Sequence, residues 1–540
     1  MTCINLKTRK FSIMKNLLIS GILGVLLLSS CNKFLQESPR SAIPVSAYFS
    51  SVQEATSAVN WLYNKSDGPG NFLAINGSLY DGTGNFTLDN FSGMVNDVVA
   101  QNPAVRYYTT LTQTADNQDS YLDGFWSGFY SSIASANSII ANVGASSNIS
   151  ANDKAPLLAA ARFFRALDYY YLVRMWGAVP LILNPYTSVK NVNAPRTSVD
   201  SVYNAIVNDL TWAKDSGNLA DKPMGSNGNL ISKGTVECVL AEVYLTMAGY
   251  PLQKGQPAYQ NALVTAQALL GSSGGYGLFQ SSGNVTAFDK FRLTNYDQGS
   301  AYLYFLEFNS AIQQSAFPEY TLPNTFPNPI PNTSLKVQYT LVTNPWVPST
   351  QLLNMYDSAN DIRRHDHQYY ASNFSYINNS GTLTTINFPT PLPYIWYDST
   401  ALFSTAASGK YLSVYRMDDV YLIAAEAANA LGQDPAPYLQ PILDRAYINP
   451  PAIPSDQTGR RNLILAERYR ELAMEGHFWF DMVRTKLYPD VGNNHQVTFS
   501  DFIGHNNGRG QNFSEKDLLL PLPITEMQRD PNLRPQNPGY

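Results

Sequence analysis

The amino-acid sequence predicts a mostly α-helical fold with little β structure, and two observations support this prediction. Apolar residues recur at helical spacings of three and four in successive blocks, at about 126–143, 198–214, 232–248 and 257–270. Small residues mixed with Tyr or Leu precede a glycine at 241–249 (AEVYLTMAG) and 425–432 (AEAANALG), a pattern typical of one helix of a tetratricopeptide-type hairpin. The spacing of these runs is irregular, which excludes a regular solenoid and favours a helical scaffold with long insertions.

The first element along the chain is a secretory signal. Residues 17–28 (LLISGILGVLLL) are apolar, follow Lys15 and lead into Leu-Ser-Ser-Cys at 28–31. This is the pattern of a signal peptide, and its ending resembles a bacterial lipobox, in which the cysteine is acylated. The apolar run is too short to cross a bilayer core of about 30 Å, which needs about 20 residues. We therefore predict a signal peptide over 1–30 and a lipid anchor at Cys31; the alternative is a cleaved signal in which this cysteine has no role.

The signal also sets the boundaries of the mature chain. Met14 is followed by a lysine and is a more natural start than Met1. Two prolines oppose regular structure in residues 31–50, so we expect a lipidated tether there. We expect residues 51–540 to form a single domain.

The clearest predicted helix lies in the middle of the first half of the chain. Asp153 is a plausible N-cap and places Pro156 in the first turn, where proline is tolerated. Gly177 is a natural residue to follow the last turn, and Pro180 lies just beyond it. Between these ends, one apolar stripe contains Ala160, Phe164, Leu167, Tyr171 and Met175. Two further stripes near the C-terminus contain Val420, Ala424, Ala427 and Leu431, and then Leu465, Tyr469 and Leu472.

Composition limits the classes of partner. Only 14% of the residues are charged and the net charge is −5, without a basic stripe, so nucleic acid is an unfavourable partner. The sequence is instead rich in Asn, Ser, Thr and Gln, with 35 Tyr and 25 Phe. Neutral hydrogen-bonding groups beside aromatic rings suit an uncharged ligand with flat CH faces, such as a carbohydrate. A tyrosine-rich core would have the same composition.

Cys238 has no cysteine partner after processing, and we expect it to be buried in a helix.

Two loop-rich regions are the expected places for ligand binding. The larger spans about 272–412, where prolines crowd the sequence and short apolar runs such as AYLYFLEF (301–308) predict small strands. The second spans about 64–125 and is rich in Gly, Asn and Tyr. Binding residues are often found on loops that a rigid scaffold positions. We therefore predict that both regions face the ligand.

The order of several motifs resembles the SusD/RagB family of outer-membrane nutrient-binding lipoproteins. The resemblance covers nearly the whole mature chain, and the segments that carry it are CNKFL (31–35), AARFFRALDYYYLVRMWGAVPLI (160–182), PSTQLLNMYDSANDIRR (348–364), RMDDVYLIAAEAANALG (416–432), ILAERYRELAMEGHFWFDMVRTK (464–486) and LLLPLPITEMQRDPNLRPQNPGY (518–540).

This resemblance implies a SusD-like fold of four tetratricopeptide-like hairpins and a non-catalytic role, without a cofactor. It implies capture of a glycan at the cell surface and delivery to a SusC-like, TonB-dependent transporter barrel in the outer membrane, with the helices facing the barrel and the loops facing the ligand. A peptide-binding member of the same family is the first alternative. A glycoside hydrolase and a plain interaction scaffold are the others.

Aromatic residues on the loops are the predicted ligand contacts, because a sugar ring stacks its CH face on an aromatic ring. The leading candidates are Trp346 and Trp396. Further candidates are Tyr80, Phe91, Tyr107, Tyr108 and Tyr296, with Asn96, Asp97, Asn90 and Arg106 as hydrogen-bonding partners. Burial under its own loop is the alternative for each ring. The remaining tryptophans lie in helical patterns and are assigned to the core: Trp61, Trp126, Trp176, Trp212 and Trp479.

Three other patterns offer only weak chemical signals. His477 and Asp481 could form an acid–base or metal pair, but a helix whose charges pair internally explains the same cluster. His365-Asp366-His367 has no evident third metal ligand. Asp89, Asp97 and Asp123 lie in the smaller loop-rich region, but carboxylate separation cannot be read from sequence. No Walker or H-E-x-x-H motif is present, so we predict neither an enzyme nor a metal site.

Overall fold

A computed structural model describes residues 49–63, 84–97, 103–186, 188, 192–322 and 346–540. The predicted signal peptide, the predicted acylation site Cys31, most of the predicted tether and Tyr80 lie outside the described residues. Ser51–Tyr540 forms one compact unit. No helix in the described ranges is both long and apolar enough to span a bilayer.

The scaffold is a row of helices in which consecutive members pack against each other. The first eight are α1 (Val52–Tyr63), α2 (Gly84–Phe91), α3 (Pro103–Thr109), α4 (Ala115–Ala145), α5 (Ala151–Trp176), α6 (Val199–Ser216), α7 (Lys233–Ala248) and α8 (Gln256–Leu270). The others are α9 (Asp289–Arg292), α10 (Thr350–Asn354), α11 (Met417–Ala430), α12 (Ala436–Ala446), α13 (Gln457–Glu471), α14 (Phe478–Thr485) and α15 (Ile524–Arg529). Helices α4 to α8 pack in sequence, α8 packs on α11, and α11 contacts α12 and α13. The mostly helical fold is confirmed.

The ends of α5 follow from its capping residues. The Ser150 hydroxyl accepts the backbone N–H of Asp153 at 3.3 Å, so Ser150 is the N-cap and the predicted cap is one turn late. Asp153 instead lies in the first turn, where its negative charge favours the positive end of the helix dipole. At the other end, Gly177 adopts a φ of 72° and donates to the Val173 carbonyl at 3.0 Å, as predicted.

Among the described residues, short antiparallel strands form four two-stranded sheets beside the helical scaffold. The strands are β1 (Val95–Asp97), β2 (Tyr302–Leu306), β3 (Trp346–Pro348), β4 (Tyr370–Ile377), β5 (Leu383–Pro393), β6 (Leu412–Arg416), β7 (Leu487–Val491) and β8 (Val497–Asp501). The sheets pair β1 with β3, β2 with β6, β4 with β5, and β7 with β8. Strand β2 confirms the prediction for the AYLYFLEF run. The β1–β3 ribbon joins the two loop-rich regions.

Much of the charge lies in the interior, around α13. Arg363 is fully buried and binds Asp361 at 2.7 Å, Glu467 at 2.6 Å and Glu471 at 2.7 Å. Some pairs follow the predicted helical spacing, such as Arg470 with Glu467 at 2.9 Å. Most partners, however, come from other parts of the chain. These ion pairs fasten α13 to the segments packed around it.

His477 and Asp481 take separate places in this network. The Nε2 atom of His477 is 3.9 Å from Asp419, whereas Asp481 accepts from Arg468 at 3.1 Å and from Arg484 at 2.7 Å. The predicted pairing within one helix therefore holds for Asp481 with Arg484, whereas its bond to Arg468 joins α14 to α13.

The tryptophans assigned to the core divide into three groups. Trp126, Trp176 and Trp479 are buried as predicted, and so is Cys238. Trp212 is half-buried. Trp61 is 41% exposed, so its assignment to the core is wrong. Helix α1 buries Ala55, Val59 and Leu62 along one face, and Trp61 projects away from that face.

Candidate ligand-binding site

The structure brings three of the predicted ligand residues together on the β1–β3 ribbon. Asp97 pairs with Trp346, and Asn96 pairs with Val347. Residues 98–102 and 323–345, which adjoin these strands in sequence, lie outside the described residues. Two segments about 250 residues apart therefore meet where the sequence predicts ligand-facing loops.

The aromatic residues beneath the ribbon belong to the core. Phe91 and Tyr108 are 0% and 1% exposed, and their ring centroids are 5.1 Å apart. Phe91 also packs on Trp479, with ring centroids 5.4 Å apart. The expectation that these two rings offer an open face is corrected, because α2 packs against α14 and α3.

Two predicted hydrogen-bonding residues hold the ribbon in place. The Asn96 side-chain oxygen accepts from Arg509 at 3.0 and 2.7 Å. Asn90 is buried; its amide donates to the Val95 carbonyl at 3.2 Å and its side-chain oxygen accepts from the Thr109 hydroxyl at 2.8 Å. These amides are therefore occupied by the fold.

The two leading tryptophans are also buried. Trp346 is 6% exposed and Trp396 is 4% exposed, with the Trp396 ring 5.0 Å from that of Phe317. The expectation that they stand open on loops is corrected. Tyr107 and Tyr296 are half-buried and Arg106 is exposed, so these three keep surface that a ligand can reach.

An open cleft of about 440 Å³ lies at the edge of the larger loop-rich region. We call it the amide cleft because its walls contain four amide side chains: Asn60, Asn229, Asn309 and Gln313. Its walls come from α1, residues 224–231 and the segment from β2 to Gln313. Aromatic residues also line it: Tyr63 is half-buried, whereas Tyr304, Phe305 and Phe308 are buried. Leu230 and Ile312 add exposed aliphatic surface.

Hydrogen bonds fix part of this lining. The amide of Asn229 donates to Glu307 at 2.8 Å, and its side-chain oxygen accepts from Gln298 at 3.0 Å. Tyr63 packs edge-on against Phe164, with ring centroids 4.7 Å apart, and its hydroxyl accepts from the Ile231 N–H at 3.1 Å. Burial raises the pKa of Tyr63, so its phenol stays neutral at physiological pH.

Other polar groups in the amide cleft are available to a ligand. Asn60 is exposed and Gln313 is half-buried, and the side chains of both make no hydrogen bond within the described ranges. Glu307 is the one acidic side chain among the described residues that line the cleft, and no cation lines it there. Paired carboxylates of the kind used in glycoside hydrolysis are therefore missing from this lining. The cleft has the chemistry to bind a neutral, hydroxyl-rich ligand.

Sequence reasoning missed the amide cleft because its walls come from distant segments. Asn60 lies in a helix, and Asn229 lies in a turn with a positive φ of 61°. The only local signal was the AYLYFLEF run, which forms β2 beside the cleft.

Comparisons with known proteins agree with this architecture. Residues 355–540 match the model of the SusD family, and residues 33–245 match a model described as "Starch-binding associating with outer membrane". A SusD superfamily protein from Parabacteroides distasonis superposes with a TM-score of 0.77 at 26% identity, covering 90% of this chain and 99% of that one. The chain belongs to the SusD/RagB family.

Other relatives extend this SusD-like assignment over the full length. SusD-like protein P2 of Formosa agariphila is 26% identical over 555 residues, covering 98% of this chain and all of that protein. A SusD-like protein of Bacteroides ovatus is 29% identical over 240 residues, covering 44% of this chain and 40% of that one. A structure described as a laminarin-binding SusD-like protein has a TM-score of 0.65 at 19% identity, covering 90% of this chain and 99% of that one, which shows the shared fold.

Proposed function

We propose that this SusD-like protein captures a neutral glycan at the outer membrane and delivers it to a TonB-dependent transporter of the SusC type. The observation that carries the proposal is the amide cleft, which combines neutral hydrogen-bonding groups with apolar side chains on a SusD-like fold. The family model that matches residues 33–245 is named for starch binding and outer-membrane association, which supports the ligand class and the location.

The lining suits a sugar for two physical reasons. Sugar hydroxyls both donate and accept hydrogen bonds, and the free amides of Asn60 and Gln313 can do the same. Tyr63, Leu230 and Ile312 keep accessible apolar surface, which can pack against the CH groups of a sugar ring. Because the cleft is open and wet, part of the contact energy is lost to ordering the ligand. We therefore expect an affinity in the micromolar to millimolar range.

The residues predicted on the loops have a secondary place in this proposal. Tyr107 and Tyr296 keep partly exposed rings and remain proposed contacts. Trp346 and Trp396 are buried, so either would contact a glycan only after its neighbours move. The peptide-binding alternative is less favoured, because the amide cleft offers one carboxylate and no cation to a charged peptide.

Anchoring and delivery complete the proposal. Acylation of Cys31 would hold the protein to the outer membrane through the tether at 31–50, because two or three acyl chains anchor stably. Residues 51–540 would then act as one ligand-binding domain over the transporter. Co-purification of a barrel protein with the native lipoprotein from mild detergent is the expected result. Recovery of the lipoprotein alone would contradict a stable complex.

Native gel electrophoresis tests the glycan proposal. Residues 32–540 run through gels that contain neutral polysaccharides should be retarded by at least one of them. Asn60→Ala with Gln313→Ala should reduce the retardation, because each removes an amide from the amide cleft. Gln53→Ala with Gln433→Ala is the matched control, since both glutamines are exposed and neither lines the cleft.

The possible outcomes separate the alternatives. Equal retardation of both double variants would refute the amide cleft as the site. No retardation by any polysaccharide would reject polysaccharide capture and direct the search to peptides or small oligosaccharides. Release of reducing sugar from a polysaccharide would reveal a hydrolase instead.

A further inference from the structure

A second cleft, of about 420 Å³, lies among the helices of the scaffold. Its walls come from the end of α7 and the loop that follows, from α8, α11 and α13, and from the end of α14. We call it the cationic cleft and define it by five residues: Tyr250, Tyr259, Asn429, Arg461 and Lys486. It shares no lining residue with the amide cleft.

Two cations in this cleft are not neutralised by a buried acid. Arg461 donates to its neighbour Asn462 at 3.0 and 3.3 Å and makes no ion pair among the described residues. Lys486 lies 4.5 Å from the ring centroid of Tyr250. Its ion partner is Glu515, 3.5 Å away and 67% exposed, so a ligand can replace this pair at little cost.

The other charges of the cationic cleft neutralise one another. Glu426 accepts from Arg484 at 2.5 and 2.8 Å, and Arg484 also donates to Asp481 at 2.7 Å. The cleft is therefore left with two positive charges, in a protein whose net charge is −5.

A buried acceptor in the same cleft lacks a donor. Asn429 is 4% exposed, and its side-chain oxygen has no hydrogen-bond donor in the part of the chain that the structure describes. The orientation of this amide is fixed, because its nitrogen donates to the Gln457 carbonyl at 3.1 Å and Gln457 donates back to the Asn429 carbonyl at 2.6 Å. Buried acceptors are rarely left unsatisfied, so a ligand that brings an N–H or O–H group would stabilise this one.

We propose that the cationic cleft binds an acidic sugar, a uronic acid unit of a glycan. Its carboxylate would pair with Arg461 and Lys486, since arginine binds a carboxylate through two parallel hydrogen bonds. The side-chain oxygen of Asn429 is buried, so a ring hydroxyl would donate to it only after the neighbouring side chains move. This inference rests on the proposed glycan-binding role, but it uses a different site and a different charge class of sugar.

The rest of the lining favours a sugar over an acidic peptide. Further amide and hydroxyl groups border the cleft at Gln253, Gln457 and Thr458, and two tyrosine rings are available for contact with sugar CH groups.

Calorimetric titration with defined oligosaccharides tests the proposal. The probes are trigalacturonate, trimannuronate and a hyaluronan tetrasaccharide, together with the methyl ester of trigalacturonate, which keeps the rings and removes the charge. At least one acid should bind saturably to residues 32–540, with affinity that falls as salt rises. The methyl ester should bind at least about tenfold more weakly, because it cannot form the charged pair.

Matched variants locate the site. Arg461→Gln with Lys486→Gln should weaken uronate binding at least about tenfold without changing retardation by a neutral polysaccharide. Lys222→Gln with Arg460→Gln changes the net charge equally, and neither residue lines the cleft, so uronate binding should persist. Melting temperatures of both double variants show that each is folded.

Four results would overturn the inference. In the titrations, these are that no acidic probe binds saturably, or that hexaglutamate binds as tightly as the best uronate. In the variants, they are that both double variants lose affinity equally, or that Arg461→Gln with Lys486→Gln keeps full affinity. Tight binding of hexaglutamate would identify an acidic peptide as the ligand. Neutral-glycan retardation that survives while uronate binding fails would leave the proposed function standing and reject this inference alone.

Discussion

Replacing Glu471 by glutamine should destabilise the protein more than any exposed substitution. The carboxylate of Glu471 accepts from three buried guanidinium groups, those of Arg363 at 2.7 Å, Arg416 at 2.8 Å and Arg445 at 2.6 Å. Burial alone would raise the pKa of Glu471, but Arg445, Arg416 and Arg363 together hold it below the ordinary value. The charge is therefore present in the folded protein. Its removal leaves the buried cluster one negative charge short, although each arginine keeps another carboxylate partner.

The magnitude follows from the burial of every partner. Removing one member of a buried ion pair costs about 3–5 kcal/mol, because the remaining charge keeps its desolvation penalty. The entropy of unfolding is about 2.1 cal/mol/K per residue, or about 1 kcal/mol/K over the roughly 490 residues of Ser51–Tyr540. Glu471→Gln should therefore lower the melting temperature by about 3–5 °C.

Differential scanning calorimetry at pH 7 measures this effect. The matched control is Asp444→Asn, since Asp444 is exposed on α12 and bonds only to the Gln440 amide at 2.7 Å among the described residues. The control should change the melting temperature by less than about 1 °C. A Glu471→Gln protein that melts with the wild type would refute the argument that this carboxylate balances the buried arginines.

Three further predictions concern the tryptophans, the pH dependence and the anchor. Trp346→Ala and Trp396→Ala should each lower the free energy of unfolding by about 3–5 kcal/mol, because both rings are buried. Trp61→Ala should lower it by less than about 1 kcal/mol. Loss of glycan binding without loss of stability in Trp346→Ala and Trp396→Ala would contradict this prediction. Burial lowers the pKa of His477 to about 4, so the folded state favours the neutral ring; its contribution to stability is complete above about pH 6.5 and is lost as pH falls through 4. Thermal scans between pH 4 and 7 should show a shallower decline in His477→Gln than in the wild type, and equal slopes would show that this group does not titrate as described. Cys31→Ala should abolish incorporation of labelled palmitate and release the protein from outer-membrane fractions; continued labelling would reject the lipobox.

The sequence predicts long elements well where local signals agree with the packing. The helices at 198–214, 232–248 and 257–270 are found as α6, α7 and α8, within one or two residues at their ends. Helix α4 begins at Ala115 rather than near 126, because Thr114 and Asn117 form a capping box in a polar stretch with no apolar stripe. The prediction there depended on apolar periodicity alone, and so it missed the first turns.

Contacts between distant short segments could not be predicted in the same way. The strands of the β1–β3 ribbon have three residues each, too few for an alternating pattern to identify a partner. The burial of Trp346 follows from this pairing and from the packing around it. The proline beside Trp346 therefore predicts an exposed loop residue from sequence, whereas the fold buries this tryptophan.

The distribution of charge links the fold to the proposed ligands. Many of the arginines are buried. Five of them are at most 6% exposed: Arg363, Arg416, Arg445, Arg468 and Arg484. Their acidic partners are buried with them, so these charges contribute little to the field outside the protein. The amide cleft consequently has no cation and one carboxylate, Glu307, among its described lining residues, while the cationic cleft keeps two cations that no buried acid cancels. The two cations of the cationic cleft can therefore distinguish an acidic glycan from a neutral one. The amide cleft has no cation among its described lining residues that would attract an anion.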